Sequence, residues 1–187
     1  MNDTFRNHLC EIIDLTDAEY ELIKGYYSSF RFRKHQFVIQ ENQHVDYMYF
    51  VSEGLLKCSL TDALGKEHIL QFACKNWWIS DFQAYFKQEP STLSVQCLSD
   101  SELIGISYQD MEALHLQFPK MEHFFRVKSN FGYIALQKRI VSLMSHSARE
   151  RYDAFLNQYP DLVQKISKQL LANYLGVSRE TLSRLQM

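Results

Sequence analysis

Arg179, Glu180, Ser183 and Arg184 fall within six residues near the end of a 187-residue chain. An arginine can bond bidentately to guanine O6 and N7, a glutamate can accept from cytosine N4, and a serine suits either. Placed on one exposed helical face, this set reads base edges. Lys168, Ser178 and Thr181 stand nearby, where they would meet phosphates and fix register without carrying sequence information. The competing reading is an ordinary helical hairpin with a solvated charged face. The elements that would position the set decide between the two.

Ser167 can cap a helix over 168–174, with Leu170, Leu171 and Tyr174 as its main apolar residues. Gly176 follows where the chain must turn sharply, at a position suited to positive φ. Val177 points inward and Ser178 caps a second helix, whose early Glu180 suits the helix dipole. Leu182 and Leu185 supply its buried side, and the small Ala172 lets the two helices approach. Two short helices, a glycine turn and a small facing residue make a helix-turn-helix, so the spacing favours DNA over a solvated face.

Upstream, Pro119 fits the first turn of a long helix over about 120–144. Its apolar residues form two stripes. One is Phe124, Val127, Phe131, Ile134 and Val141, interrupted by Lys138; the other is Met121, Phe125, Gly132, Leu136, Ile140 and Leu143. A helix apolar on two faces needs two partners, and a second copy of the same helix can be one of them. Gly132 costs about 1 kcal/mol in a helix interior relative to Ala, which close approach of another helix would offset. A single buried core helix is the plainer alternative. SARERYDAFLNQYP then reads as an amphipathic helix stopped by Pro160.

The first part of the chain differs in pattern. Residues 16–29 read as a helix capped by Thr16, with Glu19 three residues on and Gly25 near its end. From about 30 to 106, FRFRKHQFVI, YMYFVSEG, LLKCSL, HILQF, EPSTLSVQCL and SELIGIS are short aromatic and β-branched runs between turn residues, which predicts a β-sandwich or β-roll. SYQD, from Ser107, caps a short helix to Phe118. The fold class is therefore α+β.

Composition narrows the function. Residues 1–137 carry 12 Lys and Arg against 18 Asp and Glu, a net of −6, and residues 138–187 carry 8 against 4, a net of +4. An acidic front and a basic back suggest two units with different partners. Cys10, Cys58, Cys74 and Cys97 form no CxxC pair, and the seven histidines form neither HxH nor HExxH. Neither metal nor cofactor is called for, and a β-barrel metalloenzyme built on His35, His44 and His68 lacks its ligand spacing. The start has no secretory pattern and no apolar run approaches about 18 residues, so the chain reads as cytoplasmic with no membrane partner.

GVSRETLSR resembles the recognition segment of the Crp/Fnr family of bacterial transcription regulators, and SARERYDAFLNQYP followed by LANYLGVSRETLSR resembles a subgroup common in Bacteroidetes. The resemblance covers essentially the whole chain. It implies a cyclic-nucleotide-binding-type β-roll over 1–118, a dimerisation helix over 119–144 and a helix-turn-helix over 145–187. It implies a homodimer acting on inverted-repeat double-stranded DNA, with RNA polymerase and a small-molecule effector as further partners. It assigns Arg179, Glu180 and Arg184 to base contacts. Family members continue into a small wing hairpin, whereas this chain stops at Met187, which implies a helix-turn-helix lacking the wing and some of its phosphate contacts.

The family's phosphate cassette aligns with residues 76–97. Asp81 falls at the position of the ribose-binding Glu, Ser80 and Gln83 stand where glycines would be, and Ser91 and Thr92 occupy the positions of the phosphate-binding Arg and its hydroxyl neighbour. Lys87 is the only cation in the stretch. A buried phosphate without a guanidinium would be poorly compensated, so cyclic AMP and cyclic GMP are not expected in the usual manner. A more apolar effector pocket would draw on Trp78, Asp81, Phe82, Ser91, Thr92 and Ser129, with Trp77, Tyr85 and Phe86 near it; filled core is the alternative. A second overall reading is an effector-sensing or adaptor protein with a vestigial DNA-binding tail.

Overall fold

The computed structural model describes residues 3–185. It forms two compact units, one of residues 1–60 and 71–128 and the other of residues 61–70 and 129–187.

In the first unit, α1 (Asp3–Cys10) and α2 (Asp17–Lys24) precede the strands. Thr16 and Glu19 make the expected capping box on α2, Glu19 N donating to Thr16 Oγ1 at 3.3 Å and Thr16 N to Glu19 Oε2 at 2.9 Å. The helix ends at Lys24, not near Ser29: the Gly25 N–H closes onto Ile23 and Leu22, and Ser28 already begins a strand. The strands are β1 (Ser28–Phe32), β2 (Phe37–Ile39), β3 (Tyr47–Glu53), β4 (Leu55–Thr61), β5 (Glu67–Cys74), β6 (Trp78–Ile79), β7 (Ser94–Cys97) and β8 (Ser101–Ser107). They form two four-stranded sheets, in the orders β1-β8-β3-β6 and β2-β7-β4-β5.

Sequence reading took FRFRKHQFVI as one strand. The structure breaks it between Phe32 and Phe37, where His35 takes φ +71°. α3 (Phe82–Lys87) interrupts the strands between β6 and β7, and α1 stands before the first expected element; neither was expected as a helix. At the β3–β4 turn Gly54 has φ +109°, and a Cβ there would collide with the Ser101 side chain, so the turn requires glycine.

The core of this unit gathers Phe5 and Leu9 of α1, Ile23 of α2, Phe50 of β3, Tyr85 of α3 and Ile106 of β8, all fully buried. Each such large apolar side chain contributes about 1.5–3 kcal/mol relative to its exposed state. α4 (Tyr108–Gln117) is capped by Ser107, whose Oγ accepts from Asp110 N at 3.1 Å. α5 (Pro119–Ser145) begins here with Met121 and Phe124 fully buried.

The second unit contains α5 from Ser129 onward, α6 (Ala148–Gln158), α7 (Lys168–Leu175) and α8 (Arg179–Leu185). Ser147 and Glu150 make a capping box on α6, and Ser167 caps α7. Gly176 ends α7 with φ +69°, the left-handed geometry expected of it. Ser178 Oγ accepts from Thr181 N at 3.1 Å and so caps α8. Phe155, Leu171, Ala172, Leu175 and Leu182 form a small buried core; Leu185 is only half-buried. Among the described residues, no helix is long and apolar enough to cross a membrane.

Gly176 carries the first prediction. Gly176→Val forces a β-branched residue into left-handed backbone and brings side-chain atoms toward Leu143, whose Cδ2 lies 3.6 Å from an ideal Cβ at this position. A loss of about 1–2 kcal/mol or more is expected, read as a fall in the thermal midpoint.

Candidate nucleic-acid interface

α8 is short, and its position follows from the turn that precedes it. The Gly176 and Val177 N–H groups both donate to Ala172 O, the latter at 3.1 Å, so the chain leaves α7 in one defined direction. Leu182 is fully buried on the inner side of α8. With Leu182 inward, helical periodicity turns Arg179, Glu180 and Arg184 outward, and all three are exposed.

Arg179, Glu180, Ser183 and Arg184 together line one shallow open depression. Two guanidinium groups and a carboxylate in one concavity can offer both donors and an acceptor to a base edge. The Glu180 backbone N–H and the Ser178 hydroxyl, with Arg179 and Arg184 adding their charge, hold the Glu180 carboxyl below its usual value. It is therefore an ionised acceptor at neutral pH. Lys168 is exposed in the first turn of α7. Ser178 and Thr181 are engaged locally: Ser178 Oγ donates to Thr181 Oγ1 at 3.2 Å, and Arg184 Nη2 donates to the same oxygen at 3.3 Å. Arg184 is thus pre-oriented along its own helix.

Sequence reading missed a set of arginines behind this face. Arg139 of α5 donates from Nη2 to Tyr174 O and, at 3.3 Å, to Ile69 O, and its guanidinium lies 3.7 Å from the Tyr174 ring centroid. Burial pushes it below the usual arginine value without neutralising it. Arg151 of α6 donates from Nε to Leu175 O at 3.0 Å and from Nη1 to His146 O at 2.6 Å. The only sequence signal was cationic residues beside apolar helix positions.

The residues proposed for an effector pocket are only partly brought together. Asp81 is buried and caps α3, accepting from Ala84 N at 3.1 Å. It also accepts from Ser91 Oγ at 2.9 Å, Thr92 N at 3.0 Å and Thr92 Oγ1 at 3.4 Å. Burial alone would raise the Asp81 carboxyl, but these hydrogen bonds outweigh it and hold the group below its usual value. Trp78 lies elsewhere, in an aromatic cluster with Phe5, Phe50 and Phe125. Its Nε1 donates at 3.2 Å to Nε2 of His8, which burial keeps neutral with a pKa of about 4. Phe82 stacks on Phe86 at the surface, and Ser129 is exposed on α5. Among the described residues, no group of three or more His, Cys, Asp and Glu could hold a metal ion.

Comparison with known proteins matches the cyclic nucleotide-binding domain family to residues 29–118. Those residues are similar to cyclic nucleotide-binding domains. The chain is 25% identical over 154 residues to the transcriptional regulatory protein btr of Bordetella pertussis, a match covering 75% of this chain and 62% of that protein. It thus spans less than two thirds of that relative's length. The structure of FixK2 from Bradyrhizobium japonicum superposes with a TM-score of 0.73 at 17% identity, covering 86% of this chain and 82% of the other. A candidate transcriptional regulator of the Crp/Fnr family from Eubacterium rectale superposes with a TM-score of 0.72 at 18% identity, covering 92% and 82%. The β-strand unit, the long helix and the C-terminal helices therefore share the fold of these solved structures.

Proposed function

We propose that this chain is a sequence-specific, DNA-binding transcription regulator of the Crp/Fnr type. It acts in the cytoplasm as a homodimer on an inverted repeat, with RNA polymerase as the machinery it addresses. The observation that carries the reading is the shared depression on α8 lined by Arg179, Glu180, Ser183 and Arg184, behind a left-handed glycine turn. Arg179, Glu180, Ser183 and Arg184 read base edges; Lys168, Ser178 and Thr181 face phosphate. Two copies joined through α5 would place two recognition helices in successive major grooves, about 34–36 Å apart. Cyclic AMP is not bound through the usual phosphate cassette, because Asp81, Ser91 and Thr92 satisfy one another. An effector, if one acts, would shift the balance between two arrangements of the dimer. The reading assigns no catalytic residue.

The test is selection of binding sites from random duplex DNA without added effector, with Arg179→Ala in parallel. The expected result is an enriched inverted repeat, a loss of about 1–3 kcal/mol in the variant and relaxed preference at one base position per half-site. Random-sequence output from wild-type protein, tested with and without cell extract as a source of effectors, would favour the adaptor reading.

A further inference from the structure

α7 carries no basic residue in its own last turn, yet its end is held by positive charge. The last carbonyls of a helix lack intrahelical donors, and cations placed there are favoured by the helix dipole. Ala172 O is satisfied by the turn itself. Two further carbonyls of the last turn, Tyr174 O and Leu175 O, receive guanidinium donors from two different helices, Arg139 of α5 and Arg151 of α6. Arg139 adds face-on contact with the Tyr174 ring and a second bond to Ile69 O, and Arg151 adds a bond to His146 O. No carboxylate appears among these hydrogen-bonded partners. Both forks spend their donors on backbone carbonyls.

We propose that Arg139 and Arg151 are positioning residues for base readout: they clamp the C-terminal end of α7 from two sides and thereby fix the orientation of α8. The inference rests on the DNA-reading function above. A guanidinium is a rigid planar fork, so two forks on adjacent carbonyls resist rotation of α7 in a way that a point charge does not. α8 follows α7 because the turn is locked at Gly176 and because Ala172 of α7 and Leu182 of α8 are both fully buried. Binding geometry has to hold within about 0.5 Å, so small rotations of α8 degrade every base contact together. Because both guanidinium groups are committed to backbone carbonyls, they make no phosphate contact and do not contribute to the salt dependence of binding.

Arg139→Lys preserves the charge but replaces the fork with a point donor. Arg151→Gln is made beside it, so that loss of folding in one variant, seen by circular dichroism, leaves the other to decide. The full-length proteins are titrated with the selected duplex and with a random duplex over a range of salt, and amide hydrogen exchange is followed without DNA. The ratio of selected to random affinity is expected to fall by about one mismatched base pair's worth, roughly tenfold. The fall should be spread evenly over all base positions, with random-duplex affinity and salt slope unchanged. Exchange at the Gly176 and Val177 amides should accelerate. An unchanged ratio overturns the inference. So does relaxation at a single base position, the mark of a direct reader, or a salt slope reduced by about one, the mark of a phosphate contact. If wild-type protein prefers no duplex, the DNA reading has failed and exchange alone decides: faster exchange at the turn supports the clamp, and unchanged exchange rejects it.

Discussion

A glutamate at Leu136 is expected to turn the protein into a monomer and to weaken binding to a two-half-site duplex by about 10²–10⁴-fold, the range by which joined sites exceed single ones. Beyond Ser129, α5 leaves an apolar surface in water: Tyr133 is 70% exposed, Leu136 and Ile140 are each 56% exposed, and Leu143 is 44% exposed. Their 3-4-3 spacing is the seam of a two-stranded coiled coil. Gly132 stands beside the seam, and a Cβ there would meet nothing within 4 Å, which leaves room for another helix. In the proposed dimer, Leu136→Glu sets two like charges against each other in a desolvated seam, where repulsion and desolvation add. Sedimentation velocity reads the oligomeric state, and titration with one-half-site and two-half-site duplexes reads the linkage. Half-site binding should be untouched, because α8 is unchanged. Leu116→Glu, at an 87% exposed position on α4, is the control and should change neither. A Leu136→Glu protein that remains dimeric with full affinity would remove α5 as the joining element.

The elements legible in the sequence were those whose causes are local. Thr16 with Glu19, Ser107, and Ser167 each announce a helix start through one side chain and one nearby N–H, and the structure places all three caps where they were expected. Gly176 was legible because few residues tolerate its backbone. α1 was not: its two apolar inward residues, Phe5 and Leu9, make too short a pattern, and the helix is held by packing against Phe50 and Tyr27 rather than by propensity. α3 was hidden because FQAYFK is only six residues long and rich in aromatics, which carry little helical signal; the Asp81 cap decides it. The four residues that line the depression on α8 could be named from spacing on one helix. Arg139 could not, because its acceptors are the carbonyls of Ile69 and Tyr174, and a backbone carbonyl leaves no mark in the sequence.

Asp81 separates a sensing pocket from a structural knot. The aligned position suggested a ribose ligand, but its carboxylate already accepts from Ala84 N, Ser91 Oγ and Thr92 N. Replacing it with alanine strands the Ala84 and Thr92 backbone N–H groups, while the almost fully buried Ser91 hydroxyl is left with Leu93 O alone. A loss of about 2–4 kcal/mol is expected, since hydrogen bonds to a charged group are worth more than neutral ones and buried orphans are costly. Asp81→Asn should recover part of it. The carboxyl is held below its usual value in the folded state, so its contribution is complete above about pH 4, the unfolded value, and is lost as pH falls through the lower folded value. Denaturant unfolding at pH 7 and at pH 3 should therefore show a larger acid loss for wild type than for Asp81→Ala. A carboxylate so engaged and almost fully buried is not presented to a ribose hydroxyl, and no guanidinium stands at Ser91 to meet a phosphate, so calorimetry with cyclic AMP should show no heat of binding at micromolar concentration. Micromolar binding lost in Asp81→Asn would mean that the knot opens for ligand and that Asp81 is the sensor after all.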